Sequence, residues 1–112
     1  MELPKEAQEK IKKLQNYEQK IQSLNLQRQK LDSELSEIES ALKAIEASKE
    51  DVYKIIGNVM VAASKPNIRK ELEERKKKLQ LRINSLEKQE DELRQVASAI
   101  QKEVLKNING SG

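Results

Sequence analysis

Stepping in fours and threes from Leu3, one line of positions crosses the first half of the chain. It runs Leu3, Ala7, Lys10, Leu14, Tyr17, Ile21, Leu24, Arg28, Leu31, Leu35, Ile38, Leu42 and Ile45. Eleven of these thirteen positions are apolar, and the spacing is that of a and d in a heptad. Neither Gly nor Pro occurs between Lys5 and Asp51. The pattern therefore predicts one helix over about 4–50, with Pro4 in the first turn, where its missing N–H costs little. At ~1.5 Å per residue such a helix is roughly 65 Å long. That length points to a coiled coil.

A second line begins after residue 64. Leu72, Leu79, Leu86, Leu93 and Ile100 recur every seven residues, with Lys76, Ile83, Glu90, Ala97 and Val104 as companions. A helix over about 65–107 is predicted, capped by Ser64 or by Asn67, with Pro66 tolerated in its first turn. Gly110 ends it, and a flexible tail is expected over 108–112. This seam is the more polar of the two.

Between the helices the period changes. Val52–Ile56 and Val59–Ala63 are rich in β-branched and other apolar residues, and Gly57-Asn58 separates them. A two-residue link with Gly first suits a type II′ hairpin turn. The register then pairs Ile56 with Val59, Ile55 with Met60 and Lys54 with Val61. Val52, Ile56, Val59 and Val61 share one face; Tyr53, Ile55 and Met60 share the other. An isolated hairpin is marginal in water, and this one carries two apolar faces and two open edges, which recruit further strands. Its side chains, with the turn residue Gly57, are the candidate oligomerisation site. The short link also forces the helices to fold back on each other. The expected fold is mainly α: a long antiparallel coiled-coil hairpin with one central β-hairpin at the joint, the whole 1–112 forming a single unit.

Composition narrows the picture. Of 112 residues, 37% are charged and 36% apolar, with no Phe, Trp, Cys or His. Such a chain fills narrow helix seams rather than a thick core. The absence of Cys removes disulfides, thiol nucleophiles and thiolate metal sites. No apolar run approaches the ~20 residues of a membrane span, and the first residues lack the apolar core of a signal peptide. A cytoplasmic protein with no membrane partner is the expectation.

Charge adds little specific chemistry. The net charge is only +3. Lys76-Lys77-Lys78 is flanked by Glu71, Glu73 and Glu74 without interleaved aromatics, which argues against nucleic acid. Glu71/Arg75, Glu73/Lys77 and Glu74/Lys78 are spaced for i,i+4 pairs on a solvated face. Glu37/Glu39 and Glu90/Asp91/Glu92 lie on helical repeats with no His nearby, so no catalytic group, metal site or cofactor is assigned. Arg28 and Glu90 interrupt their seams in the same or adjacent layers. They either form a register-fixing salt bridge or reach solvent separately.

Apolar residues off the seams are more informative. They are Ile11, Leu26, Ile68, Leu81, Val96, Leu105 and Ile108. Folding back brings residues near 11 beside residues near 105, where Leu3, Ala7, Leu14 and Val104 also lie. A cluster of this kind is either end-packing of the two helices or a contact surface for an apolar partner.

The segment Val52-Tyr-Lys-Ile-Ile-Gly-Asn-Val-Met-Val61, set between two long helices, resembles the joint of a β-type prefoldin subunit. Glu71-Leu-Glu-Glu-Arg-Lys-Lys-Lys-Leu-Gln-Leu-Arg82 and Leu86-Glu-Lys-Gln-Glu-Asp-Glu-Leu93 are similar to that family's second helix. Met1-Glu-Leu-Pro4 is similar to the start of archaeal members. The resemblance implies a hexamer of two α-type and four β-type subunits, with hairpins forming a platform and coiled coils hanging from it. It also implies an ATP-independent chaperone, not an enzyme, which holds non-native polypeptides and passes them to a group II chaperonin. The client-binding residues at the tip would be Leu3, Ala7, Ile11, Leu14, Val104, Leu105 and Ile108. The alternative is a structural coiled-coil adaptor without a client.

Overall fold

The computed structural model describes residues 3–110. Helix α1 (Lys5–Ala47), strand β1 (Val52–Ile56), strand β2 (Val59–Ala63) and helix α2 (Lys65–Gly110) follow in chain order. The fold is thus mainly α, with two long helices and a central antiparallel hairpin.

Local chemistry explains the boundaries. The Gln8 amide donates to the Pro4 carbonyl at 3.0 Å, closing the first turn of α1 just after the proline. At the other end the Glu50 amide donates to Ser48 Oγ at 3.2 Å. A serine that bonds its neighbouring backbone offers an alternative to the helix, and α1 stops at Ala47 rather than near 50. The last turn of α1 contains no basic residue. Lys65 supplies that charge from the start of α2, its ammonium donating to the Ser48 carbonyl. Ser64 is the N-cap of α2: its Oγ accepts from the Asn67 amide at 3.4 Å, and its carbonyl accepts from the Ile68 amide at 3.0 Å. Asn67 therefore lies inside the helix. Residues 108–110, expected in a flexible tail, continue α2 instead. Asn and Gly are poor helix formers, but each costs only ~1 kcal/mol or less. Ser111 and Gly112 lie outside the described residues.

The helices divide between two packing units. One contains α1 as far as Gln29 and α2 from Asn84 onwards; the other, Lys30–Ile83, contains the remaining helix segments and the hairpin. In the unit with the hairpin, the seam residues Ile38, Leu42, Ile45 and Ile83 are buried. In the other, Ala7, Leu86, Ala97 and Val104 are buried together with the carboxylate of Glu90.

That carboxylate settles the pairing of the helices in its unit. Arg28 Nε donates to Glu90 Oε1 at 3.0 Å and Arg28 Nη2 to Oε2 at 3.3 Å. Arg94 Nη2 approaches the same carboxylate at 3.7 Å from the next turn of α2. A two-pronged guanidinium–carboxylate contact is among the stronger ion pairs. It is needed here, because the Glu90 side chain is only 3% exposed. Farther along, Lys10 meets Glu103 at 3.4 Å. The partner number falls as the α1 number rises, so the two segments run antiparallel.

The i,i+4 spacings on the outer face of α2 remain a solvated face. Among the described residues Glu71/Arg75, Glu73/Lys77 and Glu74/Lys78 form no ion pairs; Glu71 instead meets Lys54 of β1 at 2.7 Å. Exposed pairs gain little from closing, so a helix surface holds them only loosely.

Removing one partner of a fully buried, isolated pair costs ~3–5 kcal/mol; here Arg94 remains beside Glu90 and the Arg28 side chain is 23% exposed, so the loss falls at or below the low end of that range. Arg28→Ala and Glu90→Ala should therefore each lower stability in chemical denaturation. The double-mutant cycle should yield a coupling of ~0.5–3 kcal/mol. Additive losses would show that the pair contributes nothing as a pair.

Candidate functional site

The hairpin carries the largest run of exposed apolar side chains. Its register is Val52 with Ala63, Tyr53 with Ala62, Lys54 with Val61, Ile55 with Met60 and Ile56 with Val59. Gly57 has φ +60°, and no other described residue has a positive φ. Positive φ at the first central position alone is the type II′ arrangement. A Cβ at Gly57 would meet nothing within 4 Å, so the requirement is conformational rather than one of space.

The two faces of the sheet are not alike. Val52, Lys54 and Ala63 are half-buried, and the Lys54–Glu71 contact ties that face to α2. Beyond them on the same face, Ile56, Val59 and Val61 are exposed. The opposite face is open throughout: Tyr53 is 54%, Ile55 69% and Met60 65% exposed. Seven of the eight residues assigned from the sequence, Val52, Tyr53, Ile55, Ile56, Val59, Met60 and Val61, therefore lie in one two-stranded sheet, and the eighth, Gly57, is in the turn that joins its strands. Each strand bonds to the other alone, leaving an open edge on both sides.

The seven residues assigned near the helix ends separate by depth. Ala7 and Val104 are buried in the seam, Ile11 and Leu14 are half-buried, and Leu3, Leu105 and Ile108 are exposed. Ala7, with no exposed surface, packs the helices; the remaining candidate surface comes chiefly from the other five. Lys10 stands among them, paired with Glu6 at 3.3 Å and Glu103 at 3.4 Å. Desolvation pushes its ammonium down, but the hydrogen bonds and charges of Glu6 and Glu103 outweigh this and raise its pKa above the usual lysine value. A raised lysine contributes its stability in full at neutral pH and loses it only as pH climbs through that raised value. Asn107 Nδ2 is buried without a hydrogen-bond partner among the described residues.

Among the described residues no three acidic side chains converge as metal ligands, and no helix is long and apolar enough to cross a membrane. Glu90, one of three consecutive acids, is committed to Arg28 and Arg94. Sequence reasoning missed several polar links, among them Lys54–Glu71, Lys65 to the Ser48 carbonyl, Lys10–Glu6, Lys10–Glu103 and Arg94–Glu90. Lys10–Glu6 and Arg94–Glu90 had a signal, their four-residue spacing.

Comparison with known proteins gives consistent matches. The family model described as prefoldin subunit matches residues 8–111. The chain is 45% identical over 53 residues to the prefoldin subunit beta of Sulfurisphaera tokodaii, covering 47% of this chain and 42% of that one. It is 35% identical over 63 residues to the prefoldin subunit beta of Methanococcus maripaludis, covering 56% and 55%. These alignments take in about half the length of the curated relatives. The crystal structure of the prefoldin beta subunit from Thermococcus strain KS-1 superposes with a TM-score of 0.89 at 31% identity, over 94% of both chains.

Proposed function

The chain belongs to the prefoldin family, and from that premise we propose that it acts as a β-type subunit of an ATP-independent chaperone. In this reading it joins other prefoldin subunits through its hairpin and holds non-native polypeptides on the apolar surface near the helix ends. The observation that carries the reading is the exposure of Tyr53, Ile55, Ile56, Val59 and Met60 on a sheet with two open edges. Each such side chain gains ~1.5–3 kcal/mol on full burial. Strand addition at the edges supplies main-chain hydrogen bonds as well. A hexamer of two α-type and four β-type subunits would satisfy both.

Client capture follows from similar physics at lower strength. Leu3, Ile11, Leu14, Leu105 and Ile108 present scattered aliphatic area rather than a pocket. Ordering a non-native chain offsets part of what their burial contributes. One subunit therefore binds weakly, and several subunits joined through their hairpins gain by effective concentration. Capture by buried area needs no covalent step and no nucleotide. Release to a group II chaperonin in the cytoplasm completes the proposed role.

The assembly half is tested by Ile55→Asp with Val59→Asp, which places a charge on each face of the sheet. Burying an unpaired charge is prohibitive, so the sedimentation mass should fall while far-ultraviolet dichroism stays helical. An unchanged mass would remove the hairpin from the interface.

The client half is tested by Ile11→Ser, Leu105→Ser and Ile108→Ser in one chain. Assembly mass should hold, and suppression of aggregation of an unfolded protein at stoichiometric ratio should drop sharply. Full suppression by the intact variant assembly would place clients elsewhere. Suppression absent from the parent protein too would favour the structural adaptor.

A further inference from the structure

Among the described residues Met60 is the one side chain that carries sulfur. The chain holds two methionines and no Cys, His or Trp, and the second methionine, Met1, lies outside those residues. No thiol, imidazole or indole therefore competes with Met60 for a two-electron oxidant such as hydrogen peroxide. Susceptibility follows exposure, and Met60 is exposed on β2, as are Tyr53 and Ile55 on the same face.

The place of Met60 on the sheet gives its chemistry a consequence. It pairs with Ile55, on the face opposite the Lys54–Glu71 contact. Most of its surface meets solvent in the free subunit, so a sulfoxide there is hydrated and disturbs the fold little. A chain that covers this face would bury the new oxygen across from an aliphatic partner that has no donor to offer. Burying an acceptor without a donor is costly. Oxidation thus penalises the covered state and spares the free one, which is the condition for shifting an equilibrium between them. Leucine covers a similar area at small cost, so sulfur is not needed for the packing itself.

We propose that Met60 is an oxidation site at which peroxide blocks entry of the free subunit into its assembly, reversibly. The proposal rests on the reading of the hairpin as an assembly element and adds a chemical switch to it. A lone pair of Met60 Sδ attacks one peroxide oxygen and the O–O bond breaks. The departing hydroxide takes the proton of the transferred oxygen and leaves as water, so sulfur loses two electrons and the peroxide gains them. In reversal the oxygen leaves as water while a dithiol is oxidised to a disulfide. Once covered, the same sulfur is shielded, so the switch controls joining rather than dismantling.

The test treats the chain alone, diluted to the monomer, with hydrogen peroxide, and peptide mass mapping verifies the sulfoxide at Met60. Peroxide is removed, and sedimentation is measured for the chain alone and mixed with an untreated α-type subunit. Association should weaken by about tenfold or more relative to the untreated chain, with helical dichroism unchanged. A pair of methionine sulfoxide reductases, one for each epimer, should restore the mass. Met60→Leu should assemble equally well before and after peroxide, which also separates Met60 from Met1. Met60→Gln should assemble weakly without any oxidant. An oxidised parent chain that keeps the untreated mass overturns the switch and leaves the assembly reading intact. An equal loss in peroxide-treated Met60→Leu overturns Met60 as the site. An untreated chain that stays at the mass of one subunit in both samples removes the assembly reading, and the switch with it.

Discussion

Two helices that meet along a single apolar line can bury that line and little else. Ile38, Leu42, Ile45 and Ile83 use the seam in the unit that contains the hairpin. Nothing of comparable area remains to cover Tyr53, Ile55 or Met60. A chain with 2% aromatic residues cannot thicken its core to do so. The uncovered sheet is therefore a consequence of the seam, and its burial requires another chain. The proposed assembly and the gain from several weak client sites both follow from that deficit.

The polar residues in the seams specify rather than strengthen. Glu90 is buried to 2% exposure and must be neutralised where it lies. Sliding one helix past the other would move it away from Arg28 and strand the charge, so the pair penalises alternative registers more than it rewards the correct one. Lys10 acts in the same sense through Glu6 and Glu103, in a wetter setting. Coiled-coil seams of uniform leucine lack such a penalty and tolerate slippage.

Most of the fold was legible because each element announces itself by a different period. Heptad spacing gave the helices, β-branched and apolar runs on either side of Gly57-Asn58 gave the hairpin and its register, and two misplaced charges offered the Arg28–Glu90 contact as one of two alternatives, the one the fold adopts. Helix ends were less legible. Ser48 stops α1 through a hydrogen bond to its neighbour's amide, and Lys65 completes that end from 17 residues away in sequence. Neither has a periodic signature. Glu71 illustrates the same limit, since spacing offered Arg75 and the fold offered Lys54 at 2.7 Å. At the candidate client surface, spacing identified the right region but not the depth. Ala7 and Val104 fall on the seam itself and are buried, whereas Leu105, one position on, is 54% exposed.

The central claim is that the hairpin is covered by strands of other subunits. Its most direct test is hydrogen exchange of the β1 and β2 amides, read together with native mass, for the purified chain alone and mixed with an α-type subunit. The account requires a mass above the 12.9 kDa of one chain in at least one of these samples. In that sample the edge-facing amides of β1 and β2 should be protected, and protection should be lost on dilution to the monomer. A monomer in both samples, with a hairpin that stays formed and its edge amides exchanging freely, would contradict it.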